Sequence, residues 1–290
     1  MSLAAALTRA LGSKVAAGSE RSVAGGSINS CSRFESASGP VFVKHGDASS
    51  LEMFQAEADG LVELSRAQAV RVPRVLALSE HEGTAFLALE WIDLRSASAR
   101  SETELGELLA AQHRVTRDKF GWHRDNTIGS TPQANRLTET WVEFFRDSRL
   151  RPQLALAKRN GAGVELVDSG ERLCEQLECF FADYRPVPSL LHGDLWGGNW
   201  GADASGQPVL FDPAVYFGDR ETDLAMTRLF GGFGAPFYAA YQAAWPMDPG
   251  AATRSTLYNL YHVLNHFNLF GGGYQRQALG MIQRLLAETM

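Results

Sequence analysis

The sequence predicts an α+β protein with a small β-rich N-terminal part and a larger, mainly helical C-terminal part. Alternating and β-branched residues, typical of strands, dominate the first 90 residues. From Ser101 onward the apolar residues mostly recur with the spacing of amphipathic helices. A chain of 290 residues is long enough for two lobes. We therefore expect an N-terminal lobe of residues 1–90 and a C-terminal lobe of residues 91–290.

Composition and charge limit the classes of partner. Hydrophobic residues make up 45% of the chain and charged residues 21%, as in ordinary globular proteins. A net charge of -6 argues against nucleic acid or an anionic membrane as the main partner. No apolar run approaches the roughly 20 residues of a membrane span. Three cysteines do not form a disulfide framework. We expect a cytoplasmic protein that is a monomer in solution.

The N-terminal segment contains a helix and then a candidate phosphate-binding loop. Leu3, Leu7 and Leu11 lie on one face of the predicted helix. The segment Gly25-Gly26-Ser27 follows, and its two glycines would let backbone N–H groups approach a phosphate closely. A simple turn is the alternative, because the complete G-x-G-x-x-G pattern is absent.

A strand that ends in Lys44 and the helix after it form the next candidate site. Pro40-Val41-Phe42-Val43-Lys44 has the alternation of a strand. Ser49 and Glu52 have the spacing of a capping box at the helix start. Glu57 lies within the apolar stripe of that helix, where a carboxylate needs a cationic partner because burying it alone is costly. Lys44 is the obvious partner, and in kinases such a pair positions the α- and β-phosphates.

Two further strands precede the boundary between the two parts. Residues 74–78 and 85–92 have strand patterns, and His81-Glu82-Gly83 between them predicts a hairpin turn. The helical part begins with a second capping-box pattern at Ser101 and Glu104. We expect the exposed backbone at this boundary to be able to hydrogen-bond an adenine edge.

The segment of residues 120–133 combines turn residues with mixed polarity. Ordered loops of this length are often functional, but a plain connector is equally compatible with the composition. Helices are predicted at about 138–156 and 166–183. Pro186 and Pro188 then end the helical run before the next strand.

The strongest chemical signal follows that strand. A short apolar run leads into His192-Gly193-Asp194, Asn199 comes five positions after Asp194, and a second apolar run ends at Asp212. In phosphotransferases one carboxylate orients the attacking hydroxyl, while an Asn and a second Asp hold Mg²⁺ on the nucleotide phosphates. The order predicts Asp194 as the catalytic base. It predicts Asn199 and Asp212 as magnesium ligands, because hard oxygen atoms suit that ion.

Two further polar residues, His192 and Asp223, are predicted to have structural roles. His192 is predicted to brace the loop by hydrogen-bonding backbone groups rather than to take part in acid–base chemistry. Asp223 precedes an apolar helix start, and it is predicted to be a structural carboxylate or a cap. The other histidines have no spacing typical of a metal site.

Three departures from protein kinases favour a small or narrowly defined substrate. Gly193 stands where H-R-D has Arg, and Pro213 follows Asp212 where D-F-G has Phe. No A-P-E motif is present. The usual parts of a phosphorylation switch are therefore missing, which is unusual for a signalling kinase.

Taken together, these motifs resemble the fructosamine/ketosamine-3-kinase family over nearly the whole chain. H-G-D-x-x-x-x-N alone indicates only the aminoglycoside-phosphotransferase-like superfamily, whereas W-x-G-N and D-P-A-V-Y-x-G-D-R-E are much more specific. The segments that carry the resemblance are residues 25–29, 39–44, 57–61, 126–133, 141–145, 192–199 and 212–221.

The resemblance implies a bilobal protein-kinase-like fold and ATP-dependent phosphorylation of the C3 hydroxyl of ketosamines. Ketosamines are glycation adducts of amines, often of protein lysines, and the phosphorylated adduct is unstable, so the activity serves deglycation repair. The implied ligands are ATP, Mg²⁺ and a ribulosamine, erythrulosamine or fructosamine. The hinge of the family maps onto Glu90-Trp91-Ile92, whose backbone would hold adenine.

Three residues are candidate substrate contacts. Trp196, two residues after Asp194, is expected to stack on the sugar or close the pocket, and a core Trp that braces the loop is the alternative. Asp219 and Glu221 belong to the specific string at residues 212–221, and the resemblance makes them candidates too.

Two other functions are compatible with the same motifs. A kinase of another small alcohol, of the aminoglycoside or choline type, would use the same ATP machinery. A catalytically silent kinase-fold binding module belongs to a different class, and it is disfavoured because no position of the site is missing.

Overall fold

An antiparallel sheet of five strands forms the N-terminal part of the described chain. The structure is a computed structural model that describes residues 2–23 and 30–289. The strands are β1 (Arg21–Ser22), β2 (Ser30–Ser36), β3 (Gly39–Asp47), β4 (Val75–His81) and β5 (Thr84–Glu90). Their order is β1-β2-β3-β5-β4, so β3 and β5 are central. The predicted hairpin between β4 and β5 is confirmed, with His81 paired to Thr84.

Two helices pack against this sheet. They are α1 (Leu3–Leu11) and α2 (Leu51–Arg66). Successive side chains of a strand point to opposite sides. In β5 the side chains on both sides are buried, each set in a different core. Phe86 belongs to the small core under α1, while Leu87 belongs to the large core that includes α2. The predicted face of α1 is confirmed, since Leu7 is buried in the small core and both Leu3 and Leu11 pack against it.

The two predicted capping boxes do not form as expected. Asp47, rather than Ser49, caps the chain before α2: its carboxylate accepts from the N–H of Ser49 at 2.9 Å and starts a 3-10 turn, Ala48–Ser50. A carboxylate is a strong acceptor for the free N–H groups of a helix start. At the next helix, Ser98 is the cap and Ser101 is its partner three residues on, so the box lies one turn earlier than predicted.

Helices dominate the rest of the chain. They are α3 (Ala99–His113), α4 (Trp141–Phe145), α5 (Arg151–Arg159), α6 (Val164–Glu175), α7 (Glu221–Leu229), α8 (Ala235–Ala244), α9 (Ala251–Phe270) and α10 (Tyr274–Glu288). A π-helical turn, Arg146–Leu150, joins α4 to α5, and a 3-10 helix, Leu177–Phe181, follows α6. The α+β class is confirmed. No helix of the described residues is long and apolar enough to cross a membrane.

Three small antiparallel pairs of strands lie among these helices. They are β6 (Asn126–Ile128) with β7 (Thr131–Gln133), β8 (Ser189–Leu191) with β11 (Tyr216–Gly218), and β9 (Trp200–Ala202) with β10 (Pro208–Leu210). The β6–β7 hairpin lies within the segment 120–133. The other two pairs flank the segments that contain Asp194 and Asp212.

Backbone hydrogen bonds and an ion pair join the sheet to the helical part. The N–H of Leu210 donates to the carbonyl of Arg71 at 2.9 Å, and the N–H of Arg95 donates to the carbonyl of Ala202 at 2.7 Å. The side chain of Arg71 also pairs with Asp203, across the same junction. These contacts hold the β9–β10 hairpin, which leads into Asp212, beside the end of the sheet.

Candidate active site

A tight turn follows β8 and carries the predicted catalytic segment. Leu191, the last residue of β8, pairs with Tyr216 of β11. Gly193 has a φ of 83°, and a Cβ there would lie 2.0 Å from the carbonyl oxygen of Ala214. A side chain at this position would clash with backbone, so only glycine fits. The Arg of H-R-D is therefore sterically excluded from this turn.

His192 and Asp223 fix the turn through its backbone. Asp223, in the first turn of α7, accepts from the N–H groups of His192 at 2.8 Å and of Gly193 at 2.9 Å. Nε2 of His192 donates to the carbonyl of Phe211 at 3.0 Å, and its Nδ1 accepts from the N–H of Asp194 at 3.3 Å. Burial lowers the pKa of His192, so the ring is neutral and its two nitrogens take different roles. These four contacts agree with the structural roles predicted for His192 and Asp223.

Asp194 projects from the end of this turn and is partly buried. Asn199 donates from Nδ2 to the Asp194 carboxylate at 3.1 Å and to the Asp194 carbonyl at 2.9 Å. Burial, followed by the negative charge of Asp212, raises the pKa of Asp194 to about 7, and the hydrogen bond from Asn199 opposes this shift. A carboxylate in such surroundings is suited to accept a proton near neutral pH.

The predicted ion pair between strand and helix is present. Nζ of Lys44, on β3, lies 2.8 Å from Oε2 of Glu57 on α2 and 2.7 Å from Oδ1 of Asp212. Burial alone would lower the pKa of Lys44, but the two carboxylates outweigh it and raise the pKa. Lys44 therefore stays charged. Burial raises the pKa of Glu57, and the charge of Lys44 opposes that shift. By formal charges, one lysine against two carboxylates gives this group a net charge of -1.

Asp212 has an unusual backbone conformation. Its φ of 56° lies in the left-handed region, which residues other than glycine rarely adopt. The neighbouring residues hold it there, because the N–H of Phe211 donates to the carbonyl of Asn199 at 3.1 Å and the N–H of Ala214 donates to the carbonyl of His192 at 2.8 Å. Such strain persists where the surrounding contacts enforce it, and it clusters at functional sites.

The donor atoms around Asn199 and Asp212 fit a magnesium ion that is shared with phosphate. Among the residues that the structure describes, no group of three or more His, Cys, Asp or Glu could hold a metal by itself. Magnesium at nucleotide sites needs no such cage, because it keeps several waters and takes one or two protein oxygens. The amide nitrogen of Asn199 faces Asp194, so its Oδ1 is the atom left for a cation. The net negative charge beside Asp212 favours a cation as well.

A cavity of about 510 Å³ lies between the sheet and the helical part. Its lining includes Glu90, Trp91 and Ile92, the predicted hinge, together with Asp212. The carboxylate of Glu90 is engaged with Arg71 at 2.9 Å, and the N–H of Glu90 donates to the carbonyl of Arg74 at 2.9 Å. We call this the nucleotide-side cavity. The predicted phosphate-binding residues Gly25, Gly26 and Ser27 lie outside the described residues.

A second cavity, of about 720 Å³, contains Asp194 and Trp196. We call it the acceptor-side cavity. Its volume lies in the range of about 300–1,000 Å³ typical of small-molecule sites. Trp196 is 39% exposed, and its ring meets Phe230 edge-on with centroids 6.5 Å apart. An exposed ring that lines a cavity does not fit the alternative of a core Trp.

Asp219 and Glu221 do not line this cavity, which corrects their prediction as substrate contacts. Both are buried. Asp219 accepts from the hydroxyls of Tyr184 at 2.9 Å and of Tyr258 at 2.5 Å. Glu221 pairs with Arg254 through two contacts, at 2.8 and 2.9 Å. Their carboxylates are used within the protein, where they support the start of α7.

Sequence reasoning missed several residues of the acceptor-side cavity. Among them are Ser130 in the β6–β7 turn, Phe230 after α7, and His262 and His266 on α9. The segment 120–133 did carry a signal, because its length and polarity indicated either a functional loop or a connector. The two histidines carried none, because they meet the cavity only through the packing of a helix far along the chain.

Comparisons with known proteins agree with this geometry. A family model described as fructosamine kinase matches residues 1–288. A probable ketoamine kinase of Synechocystis sp. is 45% identical over 92% of this chain and 90% of its own length. A chloroplastic protein-ribulosamine 3-kinase of Arabidopsis thaliana is 39% identical over 91% of this chain and 82% of its own length.

Solved structures are similar to this chain as well. A Thermobifida fusca structure described as a fructosamine-3-kinase superposes with a TM-score of 0.87 at 32% identity, covering 99% of both chains. An aminoglycoside phosphotransferase superposes with a TM-score of 0.66 at 15% identity, covering 99% of this chain and 98% of its own. The second likeness concerns the fold alone.

Proposed function

The chain belongs to the fructosamine kinase family, and from that membership we propose that it is an ATP-dependent ketosamine 3-kinase. Its acceptors are ribulosamine, erythrulosamine or fructosamine adducts of amines or protein lysines, and the phosphoryl group goes to the C3 hydroxyl. The names of two relatives, a ketoamine kinase and a protein-ribulosamine 3-kinase, support this acceptor class. Loss of the phosphorylated adduct would make the activity a deglycation repair.

One observation carries the proposal: the side-chain amide of Asn199 contacts both Asp194 and Asp212, which line different cavities. Its Nδ2 lies 3.1 Å from the Asp194 carboxylate and 3.5 Å from the Asp212 carbonyl. Asp194 lines the acceptor-side cavity and Asp212 lines the nucleotide-side cavity. A hydroxyl in one cavity and a phosphate in the other can therefore meet at this point, as in-line transfer requires.

The nucleotide-side cavity is the ATP site in this proposal. The backbone of Glu90-Trp91-Ile92 holds the adenine, and Lys44, oriented by Glu57, contacts the phosphates. Gly25, Gly26 and Ser27, which lie outside the described residues, stay the predicted phosphate-binding residues. This assignment keeps residues 1–90 as the ATP-binding lobe and residues 91–290 as the catalytic and substrate lobe. The end of β5 at Glu90 and the start of α3 at Ala99 support that boundary.

Asn199 and Asp212 hold the metal in this proposal. When bound there, Mg²⁺ neutralises the charge that develops on the phosphate oxygens. The task of these two residues is then to hold their oxygen atoms in place. Asp212 is held by Lys44 and by its own backbone, and Asn199 is held by Phe211, so the two oxygen ligands keep their places without rearrangement.

Asp194 acts as the base. Its carboxylate accepts a hydrogen bond from the C3 hydroxyl and takes that proton as the hydroxyl oxygen forms its bond to the γ-phosphorus. The bond between the γ-phosphorus and the β,γ-bridging oxygen breaks, and ADP leaves. Because the transition state is loose, the main task of Asp194 is to orient the hydroxyl. Trp196, exposed in the same cavity, packs against the sugar.

We also propose that the enzyme is a cytoplasmic monomer. Residues of one chain line both cavities, so the site needs no second copy. The chain has three cysteines, an odd count that makes no disulfide framework, which suits a reducing compartment.

A substrate panel tests the function. ADP release is measured with ribulose-, erythrulose- and fructose-derived lysine adducts, and with an aminoglycoside and choline as competing acceptor classes. We expect turnover of the ketosamines only, and phosphorus NMR of the product should locate the phosphate at C3. Preferential turnover of the aminoglycoside or choline would replace the proposal with the other kinase class. Absence of any Mg-ATP turnover would favour a silent binding module.

A further inference from the structure

The acceptor-side cavity has an exposed end and a buried end. Phe270 is 64% exposed and Phe230 is 43% exposed, so apolar rings form its rim. His262 and Asn265, on α9, line the same cavity and are buried. This difference orients any acceptor that is attached to a protein. The end linked to lysine must leave through the rim, and the free end of the sugar must point toward His262.

His262 has a ring nitrogen without a partner. Its Nδ1 is buried and makes no hydrogen bond to any of the described residues. Burial, and then the charge of His266, lowers the pKa of His262 to about 3, so the imidazole is neutral and offers one N–H and one lone pair. Most buried polar atoms are hydrogen-bonded, and each exception needs an explanation. Because His262 lines the acceptor-side cavity, a ligand hydroxyl bound there is the candidate partner for its ring.

The surroundings of His262 are rigid. Its neighbour Tyr261 donates from its hydroxyl to Oε1 of Gln133 at 2.7 Å, and Asn265 donates to the carbonyl of Ile128 at 3.3 Å. Both contacts tie α9 to the β6–β7 hairpin. Asn126, at the start of that hairpin, donates to the carbonyl of Val215 at 2.8 Å. Fully hydrogen-bonded buried networks of this kind hold one geometry.

The hairpin therefore fixes the distance between the buried end of the cavity and the catalytic turn. Val215 lies in the segment between Asp212 and β11, and Ile128 lines the same cavity as Asp194. A sugar whose C3 hydroxyl meets Asp194 must extend a set length before it reaches α9. Sugars of different length will then differ in whether a hydroxyl reaches His262.

We propose that His262 hydrogen-bonds to the hydroxyls of the sugar beyond C4, and so determines the length of the sugar chain that the enzyme prefers. This inference rests on the proposed function. Erythrulosamine ends at C4, ribulosamine adds the C5 hydroxyl, and fructosamine adds C5 and C6. A sugar too short to reach leaves the buried imidazole of His262 without its partner, and sites built to bind a hydroxyl discriminate strongly against ligands that lack it.

Two variants test the proposal. His262→Phe keeps a ring of similar size and removes both nitrogens, and His262→Asn keeps a polar atom near the position of Nδ1. We expect His262→Phe to reduce the ratio of kcat/KM for fructosamine over erythrulosamine by about 10- to 100-fold, mainly through KM. His262→Asn should restore part of that ratio. Ser65→Ala, an exposed residue on α2, is the matched control and should leave the ratio unchanged.

A measurement on the unaltered enzyme does not depend on how the variants fold. Fructosamine adducts that lack the C5 or the C6 hydroxyl are compared with the complete adduct. We expect the loss of one of these hydroxyls to lower kcat/KM by about tenfold or more. Equal activity on all three would overturn the role of His262, as would an equal loss by His262→Phe on every sugar. If the unaltered enzyme phosphorylates no ketosamine at all, the proposed function itself is wrong.

Discussion

The two sides of the active-site cleft are built in opposite ways. On the nucleotide side, Lys44 meets Glu57 and Asp212 at 2.7–2.8 Å, so each charge has a partner. On the acceptor side, burial and a neighbouring carboxylate raise the pKa of Asp194, and Nδ1 of His262 has no partner among the described residues. On the nucleotide side the charged side chains contact one another before any ligand binds. On the acceptor side a buried ring nitrogen has no such contact among the described residues.

This difference follows from the two tasks. The phosphates of a nucleotide are the same in every turnover, so a fixed array of charges serves them well. The acceptor must be oriented, deprotonated and distinguished from other alcohols, and each of these steps needs a polar atom that the substrate completes. Variants on the nucleotide side should therefore mainly change the kinetic constants for ATP. Variants on the acceptor side should mainly change the reaction with the hydroxyl compound.

The largest effect is expected where the two sides meet. Asp194→Asn keeps the size of the side chain but removes the proton acceptor. We expect kcat to fall by about 10²- to 10⁴-fold, the usual contribution of a general base, while the KM for ATP changes little. The coupled ADP assay measures kcat and KM separately. Asp168→Asn, an exposed substitution on α6, is the control. If Asp194→Asn kept a kcat close to that of the unaltered enzyme, Asp194 would not be the base.

Lys44→Ala should produce a smaller effect that appears on the nucleotide side. The variant leaves the carboxylates of Glu57 and Asp212 without their cation, and removing one partner of a buried charge pair costs about 2–5 kcal/mol. We expect kcat/KM for ATP to fall by about 100-fold, with a smaller change in the KM for the ketosamine. Thermal unfolding should report a lower Tm as well.

The control for this variant is Lys158→Ala, because Lys158 is exposed near the end of α5. It removes the same charge from the protein and leaves the site intact. If Lys44→Ala raised only the KM for the ketosamine, the division of the cleft into a nucleotide side and an acceptor side would be wrong.

The nucleotide side was predictable because its partners are regular elements close in sequence. Lys44 and Glu57 are 13 residues apart, one on β3, which continues to Asp47 beyond the predicted strand end at Lys44, and one within an apolar helix stripe. A buried carboxylate at Glu57 needs a cationic partner, and Lys44 on the preceding strand is that partner. The same reasoning predicted the α+β class and the hairpin of β4 and β5. It placed the helix caps wrongly, because Asp47 and Ser98 compete with the serines that matched the pattern.

The acceptor side was only partly predictable because its residues converge from distant segments. Asp194 belongs to a motif, but His262 faces the same cavity from 68 positions later in the chain. No local pattern marks a histidine whose partner is a ligand. Asp219 and Glu221 show the opposite error: they belong to a specific motif, yet Tyr258 and Arg254 from α9 engage their carboxylates. Contacts across the fold, rather than spacing, decide both cases.

The smallest of these effects should separate the two sides most cleanly. Trp196→Ala removes an exposed ring that lines the acceptor-side cavity and does not line the nucleotide-side cavity, although the ring packs over Gly198, which does. Aromatic contacts add about 0.5–1.5 kcal/mol beyond burial, so the KM for a ketosamine should rise about 3- to 10-fold while the KM for ATP stays constant. Val164→Ala, an exposed apolar position on α6, is the control. An unchanged ketosamine KM would mean that the ring only supports the loop after Asp194, with its packing over Gly198 as its whole role.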